Sequence, residues 1–282
     1  MARAVDVRLF WHVVTEVTRK FYATNGAFLA SGLAFDLLLY CVPLSLLLVS
    51  ALGYTVYGSD RALAEVQTVL QQLLPRSHQA FTENLSVVAA NRGLLGLVGF
   101  VLLFILSSTT FGSARIVLNT VFEVRQPRSF WKGKAGDFLI MLIASGLLIL
   151  TVGLGSVLAL LRSVGERLPF LGPLMQPGWV LASALLTFAL TVALFYVLYR
   201  FSPAQTIGRR ALAFASLTGA GLFELSKWVF PWVVMIMQAG TGLISALGGL
   251  LIFLVWLYYA SVVFVLSATL GRVLEQKTLP TL

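Results

Sequence analysis

Four ionisable residues stand where charge is expensive. Asp36, Arg115, Glu224 and Lys227 fall within, or at the end of, long apolar runs, and a charge at the centre of a hydrocarbon layer costs about 2.5–3.5 kcal/mol on insertion scales. Residues of this kind pair with one another or line a hydrated path for an ion or a polar substrate. Glu224 and Lys227 are i,i+3 neighbours on one helix face, close enough to pair. They read either as a self-neutralising structural pair or as one wall of a polar, partly hydrated cavity between the first, second and fifth helices. Asp36 has no partner nearby in sequence, which favours the cavity. Arg115 closes the second helix, where its long stem can snorkel to the interface. Pro43 follows Asp36 by two turns, and Pro231 sits in the fifth helix. A proline inside a helix removes a backbone hydrogen bond and introduces a kink, and a kinked, charged helix suits a cavity wall.

Other chemistry finds little footing. Cys41 is the single cysteine, and His12 and His78 are the two histidines, so neither a disulfide nor a polyhistidine metal site is expected. No phosphate-binding lysine loop, nucleophile elbow or paired carboxylate motif occurs. Gly153, Leu154 and Gly155 lack a third glycine and lie in an apolar run, so they read as packing. An enzyme is not expected, and neither is a cofactor or a metal.

The elements that hold these residues follow from composition. Hydrophobic residues make up 59% and charged residues 11%, against about 25% charged in a soluble domain. Mean hydropathy is +0.91. A water-soluble enzyme of this composition would expose far more apolar surface than monomers tolerate. The chain reads as an all-α polytopic membrane protein. Its net charge of +9 is read as topogenic, because lysine and arginine gather in cytoplasmic loops and near anionic headgroups; a nucleic-acid partner is not expected.

About 20 apolar residues cross a bilayer core, and the gaps between charges give six transmembrane helices near 27–53, 93–115, 137–161, 179–199, 211–237 and 243–270, or five if the fifth, interrupted by Glu224 and Lys227, is re-entrant. Gly240, Thr241 and Gly242 divide the last two. With the N-terminus inside, 14 lysines and arginines fall in cytoplasmic segments and 5 outside, which sets both termini in the cytoplasm. No signal peptide is expected, since the first 26 residues are charged throughout. Val7, Phe10, Val14, Val17 and Phe21 recur at helical spacing, so 1–26 reads as a cytoplasmic amphipathic segment lying in the interface. In the loop 54–92 the stripe Leu63, Val66, Leu70, Leu73 and the stripe Ala80, Phe81, Leu85, Val88 flank Pro75, reading as an outer helical hairpin. The domain plan is thus the segment 1–26, a six-helix domain over 27–271 and a short cytoplasmic tail, 272–282. Gly26, Ala30 and Ala34, and again Ala211, Ala215 and Gly219, place small residues four apart, which lets helices approach closely in lipid.

Several blocks resemble a known family. Ala34-Phe35-Asp36-Leu37-Leu38-Leu39-Tyr40-Cys41-Val42-Pro43 is similar to the first-helix signature of the YihY/BrkB family of bacterial inner-membrane proteins. Leu118-Asn119-Thr120-Val121-Phe122, the basic loop around Arg128 and Trp131, and the stretch from Ser245 to Tyr259 resemble later blocks of the same family. Two departures stand out: Asp36 where the family usually has an aromatic, and Ser267-Ala268-Thr269 where it usually has Gly-Ala-Glu. The resemblance implies six helices, cytoplasmic termini and a multi-pass protein of the bacterial inner membrane. It adds Asn119 to Asp36, Pro43, Arg115, Glu224 and Lys227 as candidate substrate-binding or cavity residues. Some family members are linked to export of lipid-linked envelope precursors.

The expected function is transporter-like: movement of an amphiphile, such as an anionic lipid or lipid-linked envelope precursor, without ATP hydrolysis. The alternative is a non-transporting scaffold for envelope biogenesis. Membrane lipids are the expected partners, and an oligomer is compatible with the sequence.

Overall fold

The computed structural model describes residues 2–57, 91–124, 172–237 and 243–278, with parts of 136–150 between them. All the regular structure among the described residues is helical: α1 Ala2–Ala23, α2 Gly26–Tyr57, α3 Arg92–Val121, α4 Gly172–Phe201, α5 Arg209–Met237 and α6 Leu243–Thr278. Among the described residues, four stretches are long and apolar enough to cross a membrane: Gly26–Leu47, Arg92–Val121, Leu181–Phe201 and Leu251–Lys277. A shorter apolar helix, Phe138–Leu147, falls where the third span is expected. Helix α5 matches the expected fifth span in extent, and Glu224 and Lys227 fall within its sequence. The expected hairpin lies outside the described residues, apart from the end of α2, which runs on to Tyr57.

The chain divides into two compact units, Asp36–Thr110 and the remainder. Within Asp36–Thr110, α2 and α3 run antiparallel. Ser50 Oγ donates to the Arg92 carbonyl at 2.7 Å, and Thr110 Oγ1 donates to the Asp36 carbonyl at 3.0 Å. Pro43 is fully buried inside α2, and its missing N–H leaves one helical carbonyl without its usual partner.

In the larger unit α5 packs against both α4 and α6. Small residues make that possible. Ala215, Ser216 and Ala220 of α5 are fully buried, as are Val265, Ala268 and Thr269 of α6. A Cβ on Gly219 would come within 2.6 Å of Phe195 on α4 and 2.9 Å of Ser267 on α6. The spacing Ala211, Ala215, Gly219 therefore marks a three-helix approach, the arrangement that packing in lipid favours. Tyr199 is fully buried at the same level. Its hydroxyl donates to the Phe264 carbonyl at 2.8 Å and lies 2.7 Å from Ser267 Oγ, so its polar tip is satisfied inside an apolar core.

Helix α1 packs on the far end of α6, and its Val17 and Phe21 are buried. It turns into α2 at Asn25, whose φ of 53° is left-handed; asparagine tolerates that conformation better than most residues. Helix α6 continues past the expected end at 270 to Thr278, and its last turns carry the residues that α1 meets.

Candidate functional site

The polar group in the middle of α5 is built by three side chains. Lys227 Nζ lies 2.6 Å from Glu224 Oε1, the contact that i,i+3 spacing allows on a helix. Thr191 of α4, itself 3% exposed, donates to the same carboxylate oxygen at 2.8 Å. Lys227 also sits 5.3 Å from the centre of the Phe223 ring, within cation–π range. The Glu224 and Lys227 side chains are 23% and 36% exposed, so the pair is open on one side. Phe223, Trp256, Phe230 and Phe253 form a chain of rings 5.7–6.2 Å apart beside it. A paired charge with an open side and aromatic walls can exchange its internal partner for a polar headgroup while keeping apolar chains in contact with rings.

The other expected residues have separate settings. Asp36 is half-buried on α2, and among the described residues its carboxylate meets no hydrogen-bond or ion-pair partner. Pro43 lies in the same unit, Asp36–Thr110. Arg115 is half-buried on α3 and engaged. Asn119 is a fastener: its Oδ1 accepts from the Ala204 amide at 2.9 Å, tying α3 to the loop between α4 and α5.

A second polar cluster has no counterpart in the expectations. Helix α3 ends in a left-handed Glu123 with φ of 57°, while the Val124 amide donates to the Asn119 carbonyl and the Glu123 amide to the Thr120 carbonyl. This is the Schellman arrangement, with glutamate where glycine is usual. The carboxylate explains the choice. It accepts from Lys20 of α1 at 3.0 Å and from Arg272 of α6 at 3.1 Å. Those two bonds, Lys20 first, hold the Glu123 carboxyl below the usual glutamate range against the opposing effect of partial burial. Arg272 also meets Glu275 at 2.8 Å, and Glu275 accepts from the Gly208 amide at 2.8 Å. Glu16 of α1 accepts from Lys277 at 2.9 Å, and that bond keeps its carboxyl below the usual range. The cluster joins α1, the end of α3, the α4–α5 loop and the end of α6. The one local signal for it was the i,i+3 spacing of Arg272 and Glu275.

The family model described as "Virulence factor BrkB" matches residues 17–281. The chain belongs to the YihY/BrkB family. Similar members include a UPF0761 membrane protein of Chlorobium phaeobacteroides, 29% identical over 93% of this chain and 57% of the relative. Another, from Acinetobacter baylyi, is 24% identical over 89% of this chain and 59% of its own. A third, from Aromatoleum aromaticum, is 29% identical over 92% of this chain and 62% of the relative. This YihY/BrkB chain thus spans little over half the length of such relatives. No solved structure matches it. Family and apolar helices together make it a multi-pass membrane protein.

Proposed function

We propose that this YihY/BrkB protein moves an amphiphile across the bacterial inner membrane, with an anionic lipid or a lipid-linked envelope precursor as the substrate class. Both termini lie in the cytoplasm in this reading, which the count of 14 basic residues inside against 5 outside supports. The protein acts as a carrier and not as an enzyme. The observation that carries the reading is the Thr191–Glu224–Lys227 group, an ion pair open on one side within a helix that packs between two apolar ones. Lys227 can attract a phosphate, and Glu224 can hold the ammonium when no substrate is present. No ATP-binding motif occurs in the sequence, so movement runs down a gradient or is coupled to an ion.

The scaffold reading draws on the same group: Glu224 and Lys227 satisfy each other, as a pair with a purely structural role would. Reconstitution separates the two. In vesicles carrying a labelled phosphatidylglycerol in one leaflet, a transporter accelerates leaflet exchange over protein-free vesicles. Unchanged exchange across a panel of anionic lipids favours the scaffold.

A further inference from the structure

Between α1 and the last turns of α6 lies an open cleft of about 210 Å³. Three cations line it, Arg19, Lys20 and Lys277, with Glu16 as the one carboxylate on its wall. Lys277 is engaged by Glu16 at 2.9 Å and lies 3.2 Å from His12 Nδ1; Lys20 is engaged by Glu123 at 3.0 Å and Gln276 at 3.3 Å. Arg19 differs. It is exposed, and among the described residues it has no hydrogen bond or ion pair. A guanidinium left open at the mouth of a cation-lined cleft offers a planar fork of donors that fits a phosphate in bidentate fashion.

The surroundings favour a lipid as the source of that phosphate. At about 3.6 residues per turn, Trp11, Thr15, Thr18 and Tyr22 form one stripe along α1, next to Arg19. Trp11 and Tyr22 are 61% and 70% exposed, and both threonines are exposed. Exposed tryptophan and tyrosine on an amphipathic helix sit at headgroup depth. Thr15 and Thr18 turn their hydroxyls onto α1's own carbonyls at 2.8 Å, which suits a partly dehydrated interface. A neighbouring face, with Val17 and Phe21, is buried. With the aromatic stripe in the headgroup layer, Arg19 and the cleft stand at the level of lipid phosphates.

We propose that the cleft between α1 and the end of α6 binds the phosphate of an anionic lipid headgroup, with Arg19 as its principal ligand and Lys20 and Lys277 as flanking charges. The proposal rests on the lipid-carrier reading only in taking an anionic lipid as ligand. It needs binding and no movement, so a chain that binds lipid through Arg19 but fails to move it would sink the carrier reading and leave this one intact.

The test uses the full chain in a neutral detergent, with short-chain phosphatidylglycerol, short-chain phosphatidylcholine and inorganic phosphate as probes. Binding is read by native mass spectrometry and ligand-induced thermal shift. Phosphatidylglycerol should bind more tightly than either other probe, and Arg19→Gln should weaken it roughly five- to tenfold. Arg210→Gln, an exposed arginine off the cleft wall, should leave it unchanged. Arg19 is exposed, so its variant should unfold at the wild-type temperature. Wild-type affinity in Arg19→Gln overturns the proposal, as does equal weakening by Arg210→Gln, which means diffuse surface charge. Inorganic phosphate binding as tightly as the lipid overturns it as well, by identifying a free-anion site.

Discussion

Replacing Gly219 by alanine adds one methyl group at the closest approach of three helices. Built onto the backbone, that Cβ lies 2.6 and 2.8 Å from two Phe195 ring carbons and 2.9 Å from Ser267 Oγ. The ring cannot simply swing aside. Phe195 is buried and packed against Tyr199 at 5.7 Å, Phe223 at 6.1 Å and Phe264 at 6.3 Å between ring centres. Overpacking of this kind costs about 1–3 kcal/mol, while exchanging glycine for alanine in a helix returns about 1 kcal/mol. The expected net effect is a loss of about 0–2 kcal/mol. Gly221, two residues on, supplies the control, because a Cβ there meets nothing within 4 Å. Gly221→Ala should be neutral or stabilise by up to about 1 kcal/mol. Unfolding of both variants in the same micelles, by heat or by denaturing detergent, should separate them by about 1–3 kcal/mol with Gly219→Ala the weaker. Equal stability of the two would refute the three-helix approach.

Tyr199→Phe removes the hydroxyl that meets the Phe264 carbonyl and Ser267 and should cost about 1 kcal/mol in the same unfolding assay; an unchanged midpoint would contradict the buried contact. Glu123 has its carboxyl held below the usual range in the folded protein, so its contribution is present above the unfolded glutamate value and is lost as pH falls through the folded one. Since its side chain is 50% exposed, the effect is small, about 1 kcal/mol or less. Wild type should therefore lose slightly more stability on acidification than Glu123→Gln; identical pH profiles would argue against the clamp. Reporter fusions after Gln126 and Gln205 should read as cytoplasmic and those after Gln72 and Gly172 as external, and an external reading at Gln126 would overturn the orientation.

Much of the helical plan could be read from charge gaps, because about 20 residues without a charge have few homes other than a membrane or a core. Helices α3 to α6 cover the expected spans at 93–115, 179–199, 211–237 and 243–270. Ala211, Ala215 and Gly219 announced the close approach of α5 to its neighbours, since the absence of side-chain bulk is a local property. Glu224 and Lys227 announced their pairing for the same reason, both lying on one helix face. Thr191 was not legible: it reaches Glu224 from another helix, 33 residues away in sequence. The clamp at Glu123 was hidden more deeply. Its partners stand 103 and 149 residues away, and a glutamate in a left-handed cap looks from sequence like any loop acid. The end of α6 read as a tail because Arg272, Glu275 and Lys277 are polar, yet those charges meet partners on α1, α3 and the α4–α5 loop. Asn119 entered through a family resemblance, and its contact with the Ala204 amide, 85 residues away, could not be read from the sequence.

In the proposed function the polar group on α5 serves movement of an anionic amphiphile and not the fold. The most direct measurement compares leaflet exchange of labelled phosphatidylglycerol by wild type and by the double variant Glu224→Leu with Lys227→Met, at matched protein density. Replacing both members of an ion pair by apolar residues of similar volume is often neutral or stabilising, so the double variant should fold, insert and unfold at or above the wild-type temperature. This stable variant should exchange lipid no faster than protein-free vesicles, while wild type should do so measurably faster. A stable double variant with wild-type exchange would contradict that role.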